Sequence, residues 1–258
     1  MDDIFDLKNK TALVTGGSRG LGLQIAEALA EKGARVIILG KSQENLINAQ
    51  NLLKDKNLIV ETICQDLIDN NSIENIFNEL TFNLKINRLD ILVNNAGVSY
   101  NDHSTEHPTE IWDWVNAINV RSVFLLCQLV AKKWMIPQNY GRIINISSIA
   151  AQGSNQYIPM LAYSCSKGSL NTLTKVLAVE WGKFGITVNA IAPGFFPTEQ
   201  SQDGVGIFDQ ETSLNDIPLR RLGDNEDLKG AIYLFGSKAG KHITGQILNV
   251  DGGVTARL

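Results

Sequence analysis

The 258-residue sequence has only three cysteines, Cys64, Cys127 and Cys165, and their spacing matches no metal-ligand or disulfide pattern. An odd number of widely separated cysteines is typical of reduced thiols, so we expect a cytoplasmic protein without disulfides. Histidine is equally scarce, and the two that are close, His103 and His107, lie in a polar stretch next to a proline. A loop of this kind does not indicate a metal site, and we predict none.

The sequence also lacks an excess of positive charge and a long apolar run. Its formal net charge is -4 at pH 7, whereas nucleic-acid-binding surfaces are basic. The N-terminus is acidic, unlike a signal peptide, and the most apolar windows, such as residues 123–130, are far shorter than a bilayer span. We therefore expect neither a nucleic-acid nor a membrane partner. The composition is that of a globular chain long enough for one large core.

Short apolar runs alternate with amphipathic stretches along the whole chain. Helical periodicity is longest over residues 109–134 and 161–184. This alternation predicts an α/β fold: one Rossmann-type, doubly wound parallel sheet of about seven strands with helices on both faces. No linker or repeat divides the chain, so we predict a single domain over residues 1–258. The predicted strands are residues 11–15, 35–39, 58–63, 89–93, 141–146, 186–191 and 246–250.

A glycine-rich turn with the pattern G-x-x-x-G-x-G follows the first predicted strand, at residues 16–22. A turn between a strand and a helix offers backbone N–H groups and the positive end of the helix dipole to an anion, which predicts a phosphate site. The second strand leads into Lys41 with no acidic residue, and Arg19 in the turn adds a cation. Both favour NADP(H), with NAD(H) as the second option. The alternative is that both are merely solvated charges.

Polar residues follow several of the other predicted strands. Asp66 comes after the third strand, where an adenine edge would be met, residues 94–97 (N-N-A-G) follow the fourth, and Ser147 and Ser148 follow the fifth. In open parallel sheets, ligands bind in the crevice at the carboxyl ends of the strands. An ordinary turn also uses asparagine and glycine, so the N-N-A-G stretch alone leaves both interpretations open.

Tyr163 and Lys167 are four residues apart in a predicted helix, so their side chains lie on the same face, one turn apart. An ammonium beside a phenol favours phenolate, so we expect Lys167 to lower the pKa of Tyr163 and make it a general acid/base. Alone, the pair is a weak signal, because such a spacing is more often an ordinary contact on a helix surface. Asn119, a poor helix former within the other long helix, indicates either a solvated face or a functional kink.

Taken together and in this order, the motifs resemble those of the short-chain dehydrogenase/reductase family over nearly the whole chain. The resemblance implies an oxidoreductase that interconverts a ketone and a secondary alcohol by hydride transfer from or to NADP(H). The residues that carry it are 15–22, 94–97, Asn119, Ser148, Tyr163, Lys167, Pro193, Gly194, Thr198 and the closing D-G-G at 251–253.

The resemblance also implies four catalytic roles. Tyr163 donates or accepts the proton, and Lys167 lowers its pKa and holds the nicotinamide ribose. Ser148 holds the substrate oxygen, and Asn119 holds a water that links Lys167 to solvent. We prefer Ser148 to Ser147 because the two should point to opposite faces of the strand end.

By the same resemblance, the chain has a cofactor half at about residues 1–150 and a catalytic and substrate half at about 140–258. Residues 195–221 are expected to form a lid, because so long a loop in a compact domain is usually functional. We also expect a homotetramer, assembled through the helices that carry Asn119 and Tyr163. The implied cofactor contacts are Gly16, Ser18, Arg19, Gly20, Leu21, Gly22, Lys41, Asp66, Leu67, Asn94, Ala96, Gly97, Tyr163, Lys167, Pro193, Gly194 and Thr198.

The substrate is expected to be a small carbonyl or alcohol compound, and two branches of the family stay open. The apolar lid, with Phe195, Phe196 and Phe208, slightly favours a 3-oxoacyl thioester reductase. The polar loop around Gln152 and Asn155 and the closing residues 251–257 are more similar to gluconate-type sugar-acid dehydrogenases.

Two further interpretations concern partners and catalysis. Acyl carrier protein is a candidate partner, with Lys132, Lys133 and Arg142 as its docking patch, although three such cations are more often an ordinary solvated surface. A non-catalytic nucleotide-binding regulator is the alternative of another class. The presence of all four catalytic residues argues against it.

Overall fold

The computed structural model describes residues 3–69, 71–153, 159–197 and 214–257. Seven strands form one parallel sheet in the order β3-β2-β1-β4-β5-β6-β7. This architecture confirms the predicted doubly wound, Rossmann-type fold. The strands are β1 (Thr11–Thr15), β2 (Arg35–Gly40), β3 (Val60–Cys64), β4 (Ile91–Asn94), β5 (Gly141–Ile146), β6 (Ile186–Pro193) and β7 (Ile247–Val250).

Helices cover both faces of this sheet because its strands are apolar on both sides. Leu13 and Ile37 belong to the core shared with α3, α5 and α6, while their neighbours Val14 and Ile38 belong to the core shared with α1, α2 and α7. The helices are α1 (Gly20–Glu31), α2 (Gln43–Asp55), α3 (Ser72–Asn78), α4 (Thr109–Asn116), α5 (Ser122–Val130), α6 (Leu161–Trp181) and α7 (Lys229–Gly236).

The long helix predicted over residues 109–134 is a continuous helical run with two π turns. One, Ala117–Arg121, lies between α4 and α5, and the other, Ala131–Met135, follows α5. A π turn inserts one extra residue into an α-helix and is often found at functional sites. The first of them contains Asn119, so the polar residue that disturbed the helical pattern coincides with a change in helical geometry.

The run Thr109–Met135 is also long and apolar enough, by length and composition, to cross a membrane, and half of its most apolar window is buried within the protein. It packs against α3 and α6. Core helices of globular proteins meet the same criteria, so the length and apolarity of this run are weak evidence for a span.

Differences from the predicted boundaries have local causes. The third strand begins at Val60 rather than at residue 58, because the Leu58 N–H donates to Leu53 O and closes the end of α2. The last turn of the helix predicted over 161–184 is a 3-10 turn, Gly182–Phe184, ended by Gly185 at φ +68.

The strand order places the loops after β1 and β4 side by side. β1 pairs with β2 on one edge and with β4 on the other, so the chain leaves these two neighbouring strands in opposite directions. In doubly wound sheets, this switch in strand order opens a crevice at the carboxyl ends. The glycine turn and the N-N-A-G stretch therefore meet at this crevice.

Candidate active site

The glycine turn after β1 has a backbone that only glycine accommodates. Gly16 and Gly20 have positive φ values of +63 and +53. A Cβ on Gly22 would lie 2.0 Å from Gly16 O. α1 begins at Gly20, its first turn has no acidic residue, and the side chain of Arg19 does not cap it. The N–H groups of this turn are thus presented at a helix N-terminus, which fits a phosphate.

The loop after β4 fixes this turn in place. Asn95 Nδ2 donates to Thr15 O at 3.0 Å and to Gly16 O at 3.1 Å. Thr15 Oγ1 in turn accepts the N–H groups of Asn95 and Ala96, both at 3.0 Å. Asn95 and Thr15 lie within the motifs of the sequence but were not among the predicted site residues. The alternation of side chains along a strand was the available signal, because it places Asn95 on the opposite side from Asn94.

The side chain of Asn94, one of the predicted cofactor contacts, bonds within the protein. Its side chain is buried in the core, where Nδ2 donates to Asn145 Oδ1 at 2.9 Å and to Cys127 Sγ at 3.3 Å. Asn145 Nδ2 donates onward to Thr174 Oγ1 at 2.9 Å, which links β4, β5 and α6. Burial raises the pKa of the Cys127 thiol to about 12, so it stays neutral. The Asn94 side chain therefore stabilises the sheet below the crevice.

Residues expected at the adenosine end lie at the carboxyl ends of β2 and β3. Ser18 packs against Gly40, where a Cβ would be 3.1 Å from Ser18 Oγ. Lys41 follows as an exposed residue, and among the described residues it forms no ion pair. Asp66 Oδ1 accepts the Ile68 N–H at 3.2 Å. Leu67, also predicted to contact the cofactor, has its side chain buried in the core.

The two serines after β5 have different surroundings. Ser147 is buried, and its Oγ donates to Asn171 Oδ1 at 2.7 Å and lies 3.3 Å from Lys167 O. Ser148 Oγ accepts the Ala150 N–H at 3.1 Å and hydrogen-bonds with Tyr163. The structure thus places Ser148, rather than Ser147, beside the tyrosine.

Tyr163 and Lys167 lie together at the start of α6, but their electrostatics differ from our expectation. Burial raises the pKa of Tyr163 above its ordinary value, and the hydrogen bond with Ser148 lowers it in part. Lys167 Nζ is 5.5 Å from the centre of the Tyr163 ring and donates to Ile146 O at 2.7 Å. Burial lowers the pKa of this ammonium to about 8. Lys167 is therefore bound to a main-chain carbonyl and does not depress the pKa of Tyr163 in this arrangement.

Asn119 is buried and has three protein partners. Its Oδ1 accepts the Val98 N–H at 2.8 Å, and its Nδ2 donates to Val98 O and to Ser166 Oγ, both at 2.9 Å. These bonds fasten the loop after β4 to α6 at the residue preceding Lys167. Both hydrogens of the Asn119 amide are used in these bonds. The water that Asn119 is predicted to hold would therefore have to donate to a carbonyl oxygen, either of this amide or of the main chain.

At two other places around the site, a glycine allows neighbouring segments to pack closely. A Cβ on Gly97 would lie 3.3 Å from Asn119 Oδ1 and 3.5 Å from Lys167 Nζ. A Cβ on Gly194, after the buried Pro193, would lie 2.7 Å from Asp251 Cα, so the end of β6 is packed against the closing D-G-G. Thr198 and most of the predicted lid, residues 198–213, lie outside the described residues.

The C-terminal segment supports the loop that carries Ser148. Gln152 and Asn249 exchange two amide hydrogen bonds, of 2.5 and 3.2 Å. Asn249 Nδ2 donates to Thr255 Oγ1 at 2.7 Å, and Asp251 accepts the Thr255 hydroxyl at 2.6 Å. A cavity of about 440 Å³, lined by Phe195, Asn249 and Asp251 among others, lies beside this network. Asn155 and the other predicted pocket residues over 154–158 lie outside the described part of the chain.

The donor set at this edge fits a dinucleotide phosphate and offers no metal site. The glycine turn forms a cradle that a Cβ would fill, and Lys41 adds positive charge beside it. Within the described ranges, no group of three or more histidine, cysteine, aspartate or glutamate side chains is placed to hold a metal ion. Next to this cradle lie a serine, a tyrosine and a lysine suited to proton transfer.

The chain is similar to known proteins over nearly their full length. A family model described as enoyl-(acyl carrier protein) reductase matches residues 16–255. The chain is 36% identical to gluconate 5-dehydrogenase of Gluconobacter oxydans, over 99% of this chain and 98% of that protein. It is 38% identical to 3-oxoacyl-[acyl-carrier-protein] reductase FabG of Rickettsia prowazekii, over 97% and 99%. A gluconate 5-dehydrogenase from Burkholderia cenocepacia, solved with NADP and tartrate, superposes with a TM-score of 0.91 at 30% identity, covering 99% of both chains.

Proposed function

The chain belongs to the short-chain dehydrogenase/reductase family, and we propose that it is an NADP(H)-dependent enzyme that interconverts a ketone and a secondary alcohol. The observation that carries this proposal is the hydrogen-bonded pair of Ser148 and Tyr163, with Lys167 one helical turn away, beside the glycine turn. Hydroxyl donors next to a dinucleotide site are what carbonyl reduction needs from a protein.

In reduction, Ser148 and Tyr163 donate hydrogen bonds to the substrate carbonyl oxygen, and Tyr163 transfers its proton to that oxygen. The nicotinamide, when bound, supplies the hydride. Burial keeps the pKa of Tyr163 above its ordinary value, so the phenol holds its proton at neutral pH. Lys167 would hold the nicotinamide ribose when the cofactor is bound, and Asn119 holds the loop after β4 against α6.

The cofactor preference rests on the end of β2. Lys41 is exposed beside Ser18 and the glycine turn, where a 2′-phosphate would lie, and no acidic residue follows the strand to bind a 2′-hydroxyl. The Burkholderia relative was solved with NADP. We therefore propose NADP(H) as the preferred cofactor, with NAD(H) binding more weakly.

For the substrate, we propose a gluconate-type sugar acid first and a 3-oxoacyl thioester second. The structure weakens the predicted acyl-carrier-protein patch, because Arg142 is buried and donates to Gly141 O at 2.9 Å. Lys133 Nζ lies 4.7 Å from the centre of the Phe77 ring, so this cation already interacts with an aromatic side chain of the protein. The thioester stays as the second candidate because relatives of both kinds match the whole chain.

The proposal is tested by following NADPH and NADH oxidation by the purified protein on 5-ketogluconate and on acetoacetyl-CoA, side by side. Faster turnover of the keto acid with NADPH supports the first substrate and the role of Lys41. Faster turnover of the thioester moves the second candidate to first place. Absence of cofactor oxidation with both, together with failure to bind NADPH, contradicts the proposed function.

We further propose that the enzyme is a cytoplasmic homotetramer assembled through α5 and α6. One face of α6 is small or apolar and exposed, with Val176 at 54% and Val179 at 86%, and Phe124 of α5 is 43% exposed. Exposed apolar side chains on adjacent helices are typical of interfaces. Light scattering should give four times the monomer mass, and Val179→Glu should lower it. A monomeric mass for the unmodified protein contradicts this assembly.

A further inference from the structure

The loop between β4 and α4 lies against the start of the catalytic helix. Asn119 holds the beginning of this loop through Val98. Farther along, the Asp102 N–H donates to Pro159 O at 3.2 Å, and Asp102 forms a parallel bridge with Met160, the residue before α6. Met160 precedes Tyr163 by three residues, so this loop is a wall of the site next to the proton donor.

Three buried polar atoms of this loop have no hydrogen-bond partner: Asn101 Oδ1, His107 Nδ1 and His107 Nε2. The Tyr100 ring packs against the His107 ring edge-on, with centres 5.7 Å apart, and so fixes the plane of the imidazole. Among the described residues, the other unpartnered buried polar atoms are single and scattered, on Gln24, Thr81, Asn94, Tyr140 and Thr187. Because a buried unpaired polar atom costs free energy, three of them in one loop need an explanation.

The chemistry of these atoms indicates what they bind. A neutral imidazole has one donor and one acceptor, and the amide oxygen is an acceptor. A hydroxyl group both donates and accepts, so neighbouring hydroxyls of one molecule can satisfy such a set.

We propose that Asn101 and His107 are specificity residues that recognise hydroxyl groups of a polyhydroxylated substrate. This inference rests on the proposed function and deepens it, because a 3-oxoacyl chain carries no hydroxyl to pair with them. A site built to hydrogen-bond a hydroxyl rejects analogues that lack it, since its own polar groups stay unpaired. The loop therefore selects for a sugar acid over an acyl thioester.

The test compares the unmodified enzyme with His107→Phe and Asn101→Leu. Phenylalanine keeps a ring against Tyr100 and removes both nitrogens. The kcat/KM for 5-ketogluconate with NADPH should fall by about 10²-fold in either variant, while that for ethyl acetoacetate, a ketone without hydroxyls, should stay within about twofold. The Kd of gluconate for the NADP-bound enzyme should rise in parallel, and NADPH affinity should not change. The matched control is His103→Phe, which replaces an exposed histidine in the same loop. It should change kcat/KM for neither ketone.

Three results would overturn the inference: equal loss on both ketones, which indicates a structural role; no loss on 5-ketogluconate; or an unmodified enzyme that neither reduces 5-ketogluconate nor binds gluconate. These failures leave the proposed function intact as long as ethyl acetoacetate is still reduced with NADPH. If no ketone is reduced and NADPH does not bind, the proposed function fails as well, and the two cases are distinguishable.

Discussion

At the amino end of the sheet, the buried carboxylate of Asp90 has three partners, whereas at the carboxyl end the buried ammonium of Lys167 has a single main-chain carbonyl. Asp90 accepts from Arg88 at 2.7 Å, from Thr11 N at 3.1 Å and from Lys10 at 3.3 Å. Lys167 donates to Ile146 O and has no carboxylate partner among the described residues.

The aromatic rings at the two ends differ in the same way. Tyr140, at the amino end, is contacted by Lys10, Arg142 and Arg88 at 3.9, 4.4 and 5.6 Å. Tyr163, at the carboxyl end, is contacted among the described residues by one cation, Lys167, at 5.5 Å. The carboxylate of Asp90 is thus neutralised by cations of the protein itself. The ammonium of Lys167 has no such counter-ion among the described residues, which leaves it able to interact with a ligand. Partly unsatisfied groups of this kind are typical of functional sites.

The largest effect should come from Tyr163→Phe, which removes the proton donor and keeps the ring. We expect turnover to fall by about 10³-fold, which is about 4 kcal/mol of transition-state stabilisation. The midpoint of thermal unfolding should change little, because the lost hydroxyl bonds mainly to Ser148. Steady-state NADPH oxidation and a melting curve measure the two effects. Near-normal turnover in this variant would contradict the role of Tyr163 as proton donor, whereas absence of turnover in the unmodified protein would favour the non-catalytic regulator considered from the sequence.

The matching change at the other end is Asp90→Ala. It leaves Lys10, Arg88 and the Thr11 N–H without their shared acceptor, so we expect a loss of about 3 kcal/mol in the free energy of unfolding. The kcat per folded molecule should not change, since the site is at the opposite end of the sheet. Urea unfolding and kinetics on the same sample separate the two. A lower kcat with normal stability would contradict the contrast between the ends.

Lys41→Asp tests whether the residue after β2 sets the preference for NADP(H). The substitution replaces a cation with the acidic residue that binds a ribose 2′-hydroxyl, so the KM for NADPH should rise by about 10²-fold, or about 2.7 kcal/mol. The KM for NADH should fall or stay the same. Lys54→Asp, on α2 and away from the turn, is the control for a change in net charge. Equal effects on both cofactors would assign the preference to other residues.

The smallest expected effect is a gain in stability from Lys167→Met. The pKa of Lys167 is about 8 in the fold, against an ordinary value of 10.5. The folded state therefore binds fewer protons between these values, and stability is lost as pH falls from 10.5 through 8. At pH 7 methionine should raise the free energy of unfolding by about 2 kcal/mol, after subtracting the lost bond to Ile146 O. The gain should shrink as pH rises from 7 to 10, and a constant or absent gain in melting curves would contradict it.

The contrast between the ends was only partly predictable from the sequence. Strand positions followed from apolar runs, because a strand buried on both faces is apolar throughout. Ser148 was preferred to Ser147 by strand alternation, and the structure places it beside Tyr163. The same reasoning, had it been applied to Asn94 and Asn95, would have separated the core residue from the one that holds the glycine turn.

Other features depend on tertiary contacts that no local pattern reports. The carbonyl that holds Lys167 belongs to Ile146, on another element, so its competition with Tyr163 follows from packing. Likewise, the side chain of Asn119 bonds to Val98 and Ser166, which lie on other elements. The unpartnered nitrogens of His107 look ordinary in sequence, because only burial makes them unusual.

The position of β1 inside the sheet, with a neighbour on each edge, has a consequence during protein synthesis. Ala12 pairs with Ile91 on one edge of β1, and Ile91 pairs with Arg142 on the next strand. While the ribosome makes residues 41–90, the completed β1 therefore exposes an apolar edge that has no partner yet. Such open edges join other chains, and parallel pairing over long separations is slow. Newly made chains should therefore benefit from chaperones and from slow expression at low temperature until β4 and β5 have emerged.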